Sequence, residues 1–223
     1  MYFYFLIEDQ SGEVLIRHIM EKYKREFPEL IYETKSFRGI GGIPKNVMAN
    51  KVKTNKLLTD LPQYLRGFDK SLQLVPDACL FIVLDNDAND TTQFRTALEE
   101  IACESLLTLD YVFCIAVEEI EAWLLGDKTA LDAAYPDRHG RIISVLSQYR
   151  QDSICGTWEK LADIVIKGGY DKYRKTNPSF VQTGKHKKEW AEQIGAQMDI
   201  RRNASPSFNN MISALDMRVM RAR

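Results

Sequence analysis

The sequence has no uninterrupted run of about 18 apolar residues, the length a membrane-spanning helix needs, so a bilayer span is excluded on the pattern alone. Histidine is scarce, with three residues, and the four cysteines (Cys79, Cys103, Cys114, Cys155) show no CxxC pairing. No His, Cys and carboxylate set has zinc spacing, and no Ser or Cys stands in a recognisable nucleophile context. The cysteines read as reduced and buried, in a cytoplasmic protein without a disulfide framework. The opening "MYFYFLIEDQ" lacks a basic flank and a small-residue cleavage site, and reads as a first strand rather than a signal peptide. Internal repeats and low-complexity tracts are also absent.

What is present is an ordinary globular composition over 223 residues, 45% hydrophobic and 27% charged, enough for one good core or a core with a smaller lobe. The net charge of −1 conceals an asymmetry. The first 130 residues carry 21 acidic against 14 basic side chains, a balance of −7, and the rest carry 10 against 16, a balance of +6. An acidic half joined to a basic half suits a metal site beside a surface that meets phosphates, and is equally what chance gives in many soluble proteins.

Along the first half, strand-like and helix-like segments alternate. "YFYFLI" (2–7) is a continuous apolar run suited to a strand covered on both faces. "GEVLIRHIMEKYKREF" carries a helical stripe with Ser11 as its expected N-cap and Pro28 beyond its end. "LIYETKSF" (30–37), "CLFIVL" (79–84) and "YVFCIAV" (111–117) read as further strands. A polar helix is expected from about Val47 to Phe68, and another over 91–107 with Phe94, Leu98, Ile101 and Ala102 inward. The fold class expected is α/β, a doubly wound, mainly parallel four-stranded sheet with helices on both faces, in residues 1–128. Residues 129–223 are expected to form a helical C-terminal lobe packed on it. Its helices should lie near 140–150, 157–167, 185–198 and 207–220, with a Gly/Pro/Asn loop over 167–185.

Three strands run into acidic residues: the first into Glu8 and Asp9, the third ("FIVLDNDAND") into Asp85 and Asp87, the fourth into Glu118, Glu119 and Glu121. Ligands of open parallel sheets bind at the carboxyl ends of the strands. Neighbouring strands lie about 4.8 Å apart, so these carboxylates can converge on one hard cation, Mg²⁺ or Mn²⁺. Within "EEIEAWLL", Glu118 and Glu121 are expected on one helical face, with Ile120, Trp123 and Leu124 inward and Glu119 solvated. Asp90 is expected to cap the next helix.

A glutamate after the first strand and a DxD after the third resemble the Toprim domain of topoisomerases, bacterial primases and overcoming-lysogenization-defect nucleases. The matching residues are Glu8 in "FLIEDQSGE" and Asp85 with Asp87 in "IVLDNDAND". The whole chain is similar to a Toprim-like family of bacterial proteins of unknown function at "IEDQSGEVLI", "VLDND", "IAVEEIEAWLLGD" and "NASPSFNNMISAL". Toprim domains commonly place Gly after the glutamate, where this chain has Asp9. The resemblance implies Mg²⁺-dependent chemistry on phosphodiesters, most directly nucleic-acid cleavage. It makes Glu8, Asp85 and Asp87 catalytic and metal-binding, and Glu118 or Glu121 could serve a second metal. Some Toprim-like proteins of this sort work beside ATPase partners in defence against phage.

Lys185, Lys187, Lys188, Arg201 and Arg202 of the C-terminal half are candidates for contacting DNA or RNA phosphates, a solvated helix face being the plainer alternative. Trp190 reads as core. "RGIGGIPKN" (38–46) lacks the order of a phosphate loop, and "SPSF" (205–208) reads as a helix cap. Two other functions compete. One is a non-catalytic regulatory or interaction module partnering an ATPase. The other is a haloacid-dehalogenase-like phosphatase, disfavoured because its DxD follows the first strand and because Asn89 stands where Thr or Val is usual.

Overall fold

The computed structural model describes residues 1–37, 56–176 and 180–221. Its sheet is four-stranded and all-parallel, in the order β2-β1-β3-β4, with β1 at Tyr2–Ile7, β2 at Ile31–Ser36, β3 at Ala78–Asp85 and β4 at Asp110–Ala116. Helices cover both faces, as a doubly wound α/β fold requires. The sequence expectation located every strand to within a few residues, because continuous apolar runs are what a strand buried on both faces must have.

The pleat divides the strands between two cores. Phe3, Phe5 and Ile7 of β1, with Phe81 and Val83 of β3, pack against α1 (Gln10–Glu26) and the C-terminal helices. Leu6, Leu80, Ile82, Leu84 and Phe113 face α2 (Leu57–Leu72) and α3 (Thr91–Glu104). The α3 residues Phe94, Leu98, Ile101 and Ala102 are buried as the stripe predicts.

After β4 come α4 (Glu121–Leu125), α5 (Lys128–Ala134), α6 (His139–Leu146), α7 (Thr157–Val165), α8 (Gly169–Thr176), α9 (Phe180–Gln197) and α10 (Pro206–Arg221). Their apolar faces belong to the same core as α1 and the sheet: Trp190 and Ile194 of α9, and Phe208 and Leu215 of α10, are all buried there. Ser205 accepts the Phe208 N–H at 3.2 Å and so caps α10 as expected.

Three expectations need correction, and a fourth is seen only in part. Asp9, not Ser11, is the N-cap of α1: its carboxylate accepts the Gly12 N–H at 2.7 Å and the Ser11 hydroxyl at 2.6 Å. Asp outranks an inward serine here because its two oxygens satisfy both donors. The segment read as a loop over 167–185 contains α8 and the start of α9, since tertiary packing of Tyr173 overrides its turn-forming composition. The helix expected at 47–68 is seen as α2, and positions 47–55, like the "RGIGGIPKN" loop with Arg38 and Lys45, lie outside the described residues. The cysteines are free, but Cys103 and Cys155 are exposed; Cys79 and Cys114 are buried. No helix among the described residues is long and apolar enough to cross a membrane.

Candidate functional site

The parallel register brings the tips of β1, β3 and β4 to one edge. Ile7 lies beside Val83, and Val83 beside Cys114. Glu8 follows directly: its N–H donates to the Val83 carbonyl at 3.1 Å, and its carboxylate accepts the Asp85 N–H at 3.1 Å. The two acidic strand tips paired in the sequence reading are therefore hydrogen-bonded neighbours. Glu8 is 9% exposed. Burial pushes its carboxyl up to about 7; the Asp85 N–H opposes this, and Asp87 and Asp9 add to it. Asp85 is held well above the usual carboxylate range by burial, then by Asp9, Glu8 and Glu121, with Lys187 opposing.

Between the two aspartates, Asn86 is fully buried and ties the β3 loop to the β4 loop. Its side-chain amide donates to the Asn89 carbonyl at 2.6 Å and to the Thr91 hydroxyl at 3.0 Å, while its oxygen accepts the Glu118 N–H. This bracing turns Asp87 outward: it is exposed, in a left-handed conformation (φ 48°), and its N–H donates to the Glu118 carbonyl at 2.9 Å. Burial raises the Asp87 carboxyl, Lys187 opposes, and Glu118 adds. Asp90 caps α3 through the Gln93 N–H at 2.9 Å, as expected.

The β4 side departs from the sequence reading. Glu118 does not share a helical face with Glu121, because it precedes α4 and adopts φ 66°. Its carboxylate accepts three backbone N–H groups at the start of α7, from Cys155 (3.2 Å), Gly156 (2.8 Å) and Thr157 (2.8 Å), which commits it to anchoring that helix. Glu119, expected in solvent, points inward and pairs with Lys187 at 3.0 Å. Glu121 is 1% exposed and lies 3.4 Å from the same ammonium. Ile120, Trp123 and Leu124 are buried as expected.

Burial raises the Glu119 carboxyl to about 7, with Glu121 adding and Lys187 opposing, and burial likewise raises Glu121. Burial disfavours the Lys187 ammonium, but Glu121, Glu119 and Asp85 outweigh it and hold its pKa above the ordinary lysine value. Oε2 of Glu119 and both oxygens of Glu121 remain buried with no hydrogen-bond partner among the described residues.

The donor chemistry fits a hard divalent cation: among the described residues the site holds carboxylate oxygens in excess of one ammonium, several of them unsatisfied. Among the described residues, however, no group of three or more His, Cys, Asp or Glu side chains is arranged so that it could hold a metal ion.

The basic candidates divide. Lys187 belongs to the carboxylate cluster rather than to an open surface. Arg201 bridges Glu26 (2.6 Å) and Asp216 (2.7 Å), and Arg202 pairs with Asp127 (3.3 Å) and Asp199 (3.5 Å). Lys185 is exposed and reaches Glu189 only at 3.9 Å, and Lys188 is exposed. Trp190 is buried as expected. Lys187, Glu119 and Asn86 were the residues whose place in the site the sequence reading missed. For Asn86 alone a local signal existed, a polar residue held between two aspartates at a strand end.

A family model described as Domain of unknown function (DUF4276) matches residues 7–216. No curated protein and no solved structure matches the chain.

Proposed function

The chain belongs to the family described as Domain of unknown function (DUF4276), and from that footing we propose that it performs Mg²⁺- or Mn²⁺-dependent phosphodiester chemistry, cleaving nucleic acid, at the carboxylate edge of its sheet. One observation carries this reading. Glu8, Asp85, Glu119 and Glu121 crowd the tips of three adjacent strands with a single ammonium of the described residues, Lys187, among them. Buried like charges in such excess are costly unless protons or a further cation neutralise them. A fold seldom retains that cost at a ligand-binding edge without a use for it.

In this reading Glu8, Asp85 and Asp87 would hold the cation, with Glu121 as the further carboxylate, once their side chains move together, since in this structure they are not arranged around one ion. Glu118 drops out because its oxygens are spent on α7. When bound, such a cation would supply charge stabilisation at the phosphodiester and a more acidic water. Glu8, raised by burial to about 7, is suited to take or give a proton near neutral pH. Lys187 holds Glu119 and Glu121 in place, and Asn86 fixes the loop that carries Asp85 and Asp87. The likeness of "FLIEDQSGE" and "IVLDND" to Toprim motifs supports the same chemistry.

The test is incubation of purified protein with Mn²⁺ or Mg²⁺ and single-stranded DNA, RNA or plasmid, alongside Asp85→Asn. Cleavage by the wild type, lost in the variant and in EDTA, is the expected result. Wild type and variant behaving alike on every substrate would remove the proposal.

A second reading has its own observation. Lys187 already supplies a cation to Glu119 and Glu121, as a structural network would. The protein would then be a non-catalytic module partnering an ATPase, marked by co-purification with that ATPase and no calorimetric response to Mn²⁺.

A further inference from the structure

Beside the carboxylates stands a group of aromatic side chains that the proposed chemistry does not use. The Lys187 ammonium lies 5.9 Å from the centre of the Trp158 ring. Trp158 meets Tyr170 edge to face, with ring centres 5.2 Å apart at 84°. Both rings are only partly buried. Tyr170, on the first turn of α8, also forms part of the wall of an open cavity of about 610 Å³, together with Arg138, Arg141 and the Gly168–Gly169 backbone. A path of direct neighbours therefore runs from the carboxylate cluster through Lys187 and Trp158 to the cavity.

Charge on this side is mainly basic, although Asp163 and Asp171 line the cavity and Glu159 stands near Tyr170. Lys167, Lys172, Arg174 and Lys175 are exposed and make no ion pair among the described residues, with Asp171 the one acidic residue in that stretch. In the cavity wall Arg141 is committed to Asp163, whereas Arg138, among the described residues, pairs only with its exposed neighbour Asp137, at 3.6 Å. Unpaired basic side chains around half-exposed aromatic rings are what a nucleic-acid strand needs: cations for the phosphates and π-faces for the bases. In a duplex both faces of each base are already covered by its neighbours, so only an unpaired strand offers a base to such rings.

We infer that the substrate is a single-stranded nucleic acid, whose backbone follows the basic helix α8 while a base close to the scissile phosphate stacks at Trp158–Tyr170. This rests on the carboxylate edge being the reaction centre.

The test uses the full chain in EDTA, so that binding is read without turnover, with a fluorescein-labelled oligothymidylate and a hairpin duplex as anisotropy probes. Wild type is expected to prefer the single strand. Tyr170→Leu should weaken that binding about tenfold, as loss of one stacking contact does. Tyr170→Phe, which keeps the ring, should restore it. Lys172→Gln with Lys175→Gln should lower the slope of log affinity against log salt by about 0.7 per cation removed.

Equal affinity for hairpin and single strand, with Tyr170→Leu unchanged on both, overturns the inference whatever the cleavage assay shows. Retained single-strand binding with Tyr170 dependence, but no metal-dependent cleavage, supports the platform and removes the nuclease reading instead.

Discussion

Lys187 of α9 lies 3.4 Å from Glu121 at the start of α4, the only ammonium among the described residues to stand with the buried carboxylates at the strand tips. The contact joins the basic C-terminal half of the chain to the acidic sheet edge, and it sets the balance of charge on which the site depends. Replacing Lys187 by Met should leave Glu119 and Glu121 without a counter-charge. Loss of one partner from a buried pair typically costs about 3–5 kcal/mol. Urea unfolding at pH 8 is expected to show a loss of that order and a smaller one at pH 5, where protons take the place of the ammonium.

Asp85→Asn should act in the opposite direction on stability. Asp85 is held far above its ordinary range by burial and by Asp9, Glu8 and Glu121, so its charge is a burden in the metal-free protein. The isosteric amide removes that charge. A rise in melting temperature at pH 8 is expected, on the order of 2–4 °C for each kcal/mol relieved. Stabilisation of the wild type by added Mn²⁺ should disappear in the variant. A variant that melts lower than wild type at pH 8 would contradict the charge excess.

Stability of the metal-free protein should fall as pH rises through the range set by Glu8 and Glu119. Both are raised from 4.5 to about 7. Below about 4.5 the two groups are protonated in both folded and unfolded chains and cost nothing. Between about 4.5 and 7 the folded protein holds protons that the unfolded chain releases, so each step up in pH favours unfolding. Above about 7 the penalty is complete. Thermal melts across pH 5 to 8 should decline over this window, and Glu8→Gln should flatten the decline.

Gly126→Ala tests the joint between α4 and α10. A Cβ at Gly126 would stand 2.0 Å from Oδ1 of Asn203. Asn203 is buried, donates to the Trp123 carbonyl at 2.7 Å and accepts the Ser205 N–H at 2.8 Å. Displacing it should strand those groups at about 1–3 kcal/mol. Asn203→Ala should cost a similar amount, and the double variant should cost less than the two together, because both act on one contact.

The sequence by itself determined the sheet and its acidic edge. Apolar runs such as "CLFIVL" admit one role, a strand covered on both faces, and their carboxyl ends had to meet once the strands ran parallel. Glu8 beside Asp85 was legible for that reason, as were the caps at Asp90 and Ser205, which are local. Only the tertiary structure decided which charges face each other. Lys187 belongs to the site because α9 packs against α4 and the core, and no spacing along the chain encodes that. Glu118 leaves the site because α7 offers its carboxylate three N–H groups, and Glu119 enters because the turn before α4 points it inward. Strand identity follows from which side chains are apolar, a local property. The partner of a buried charge follows from which surfaces the whole core presses together.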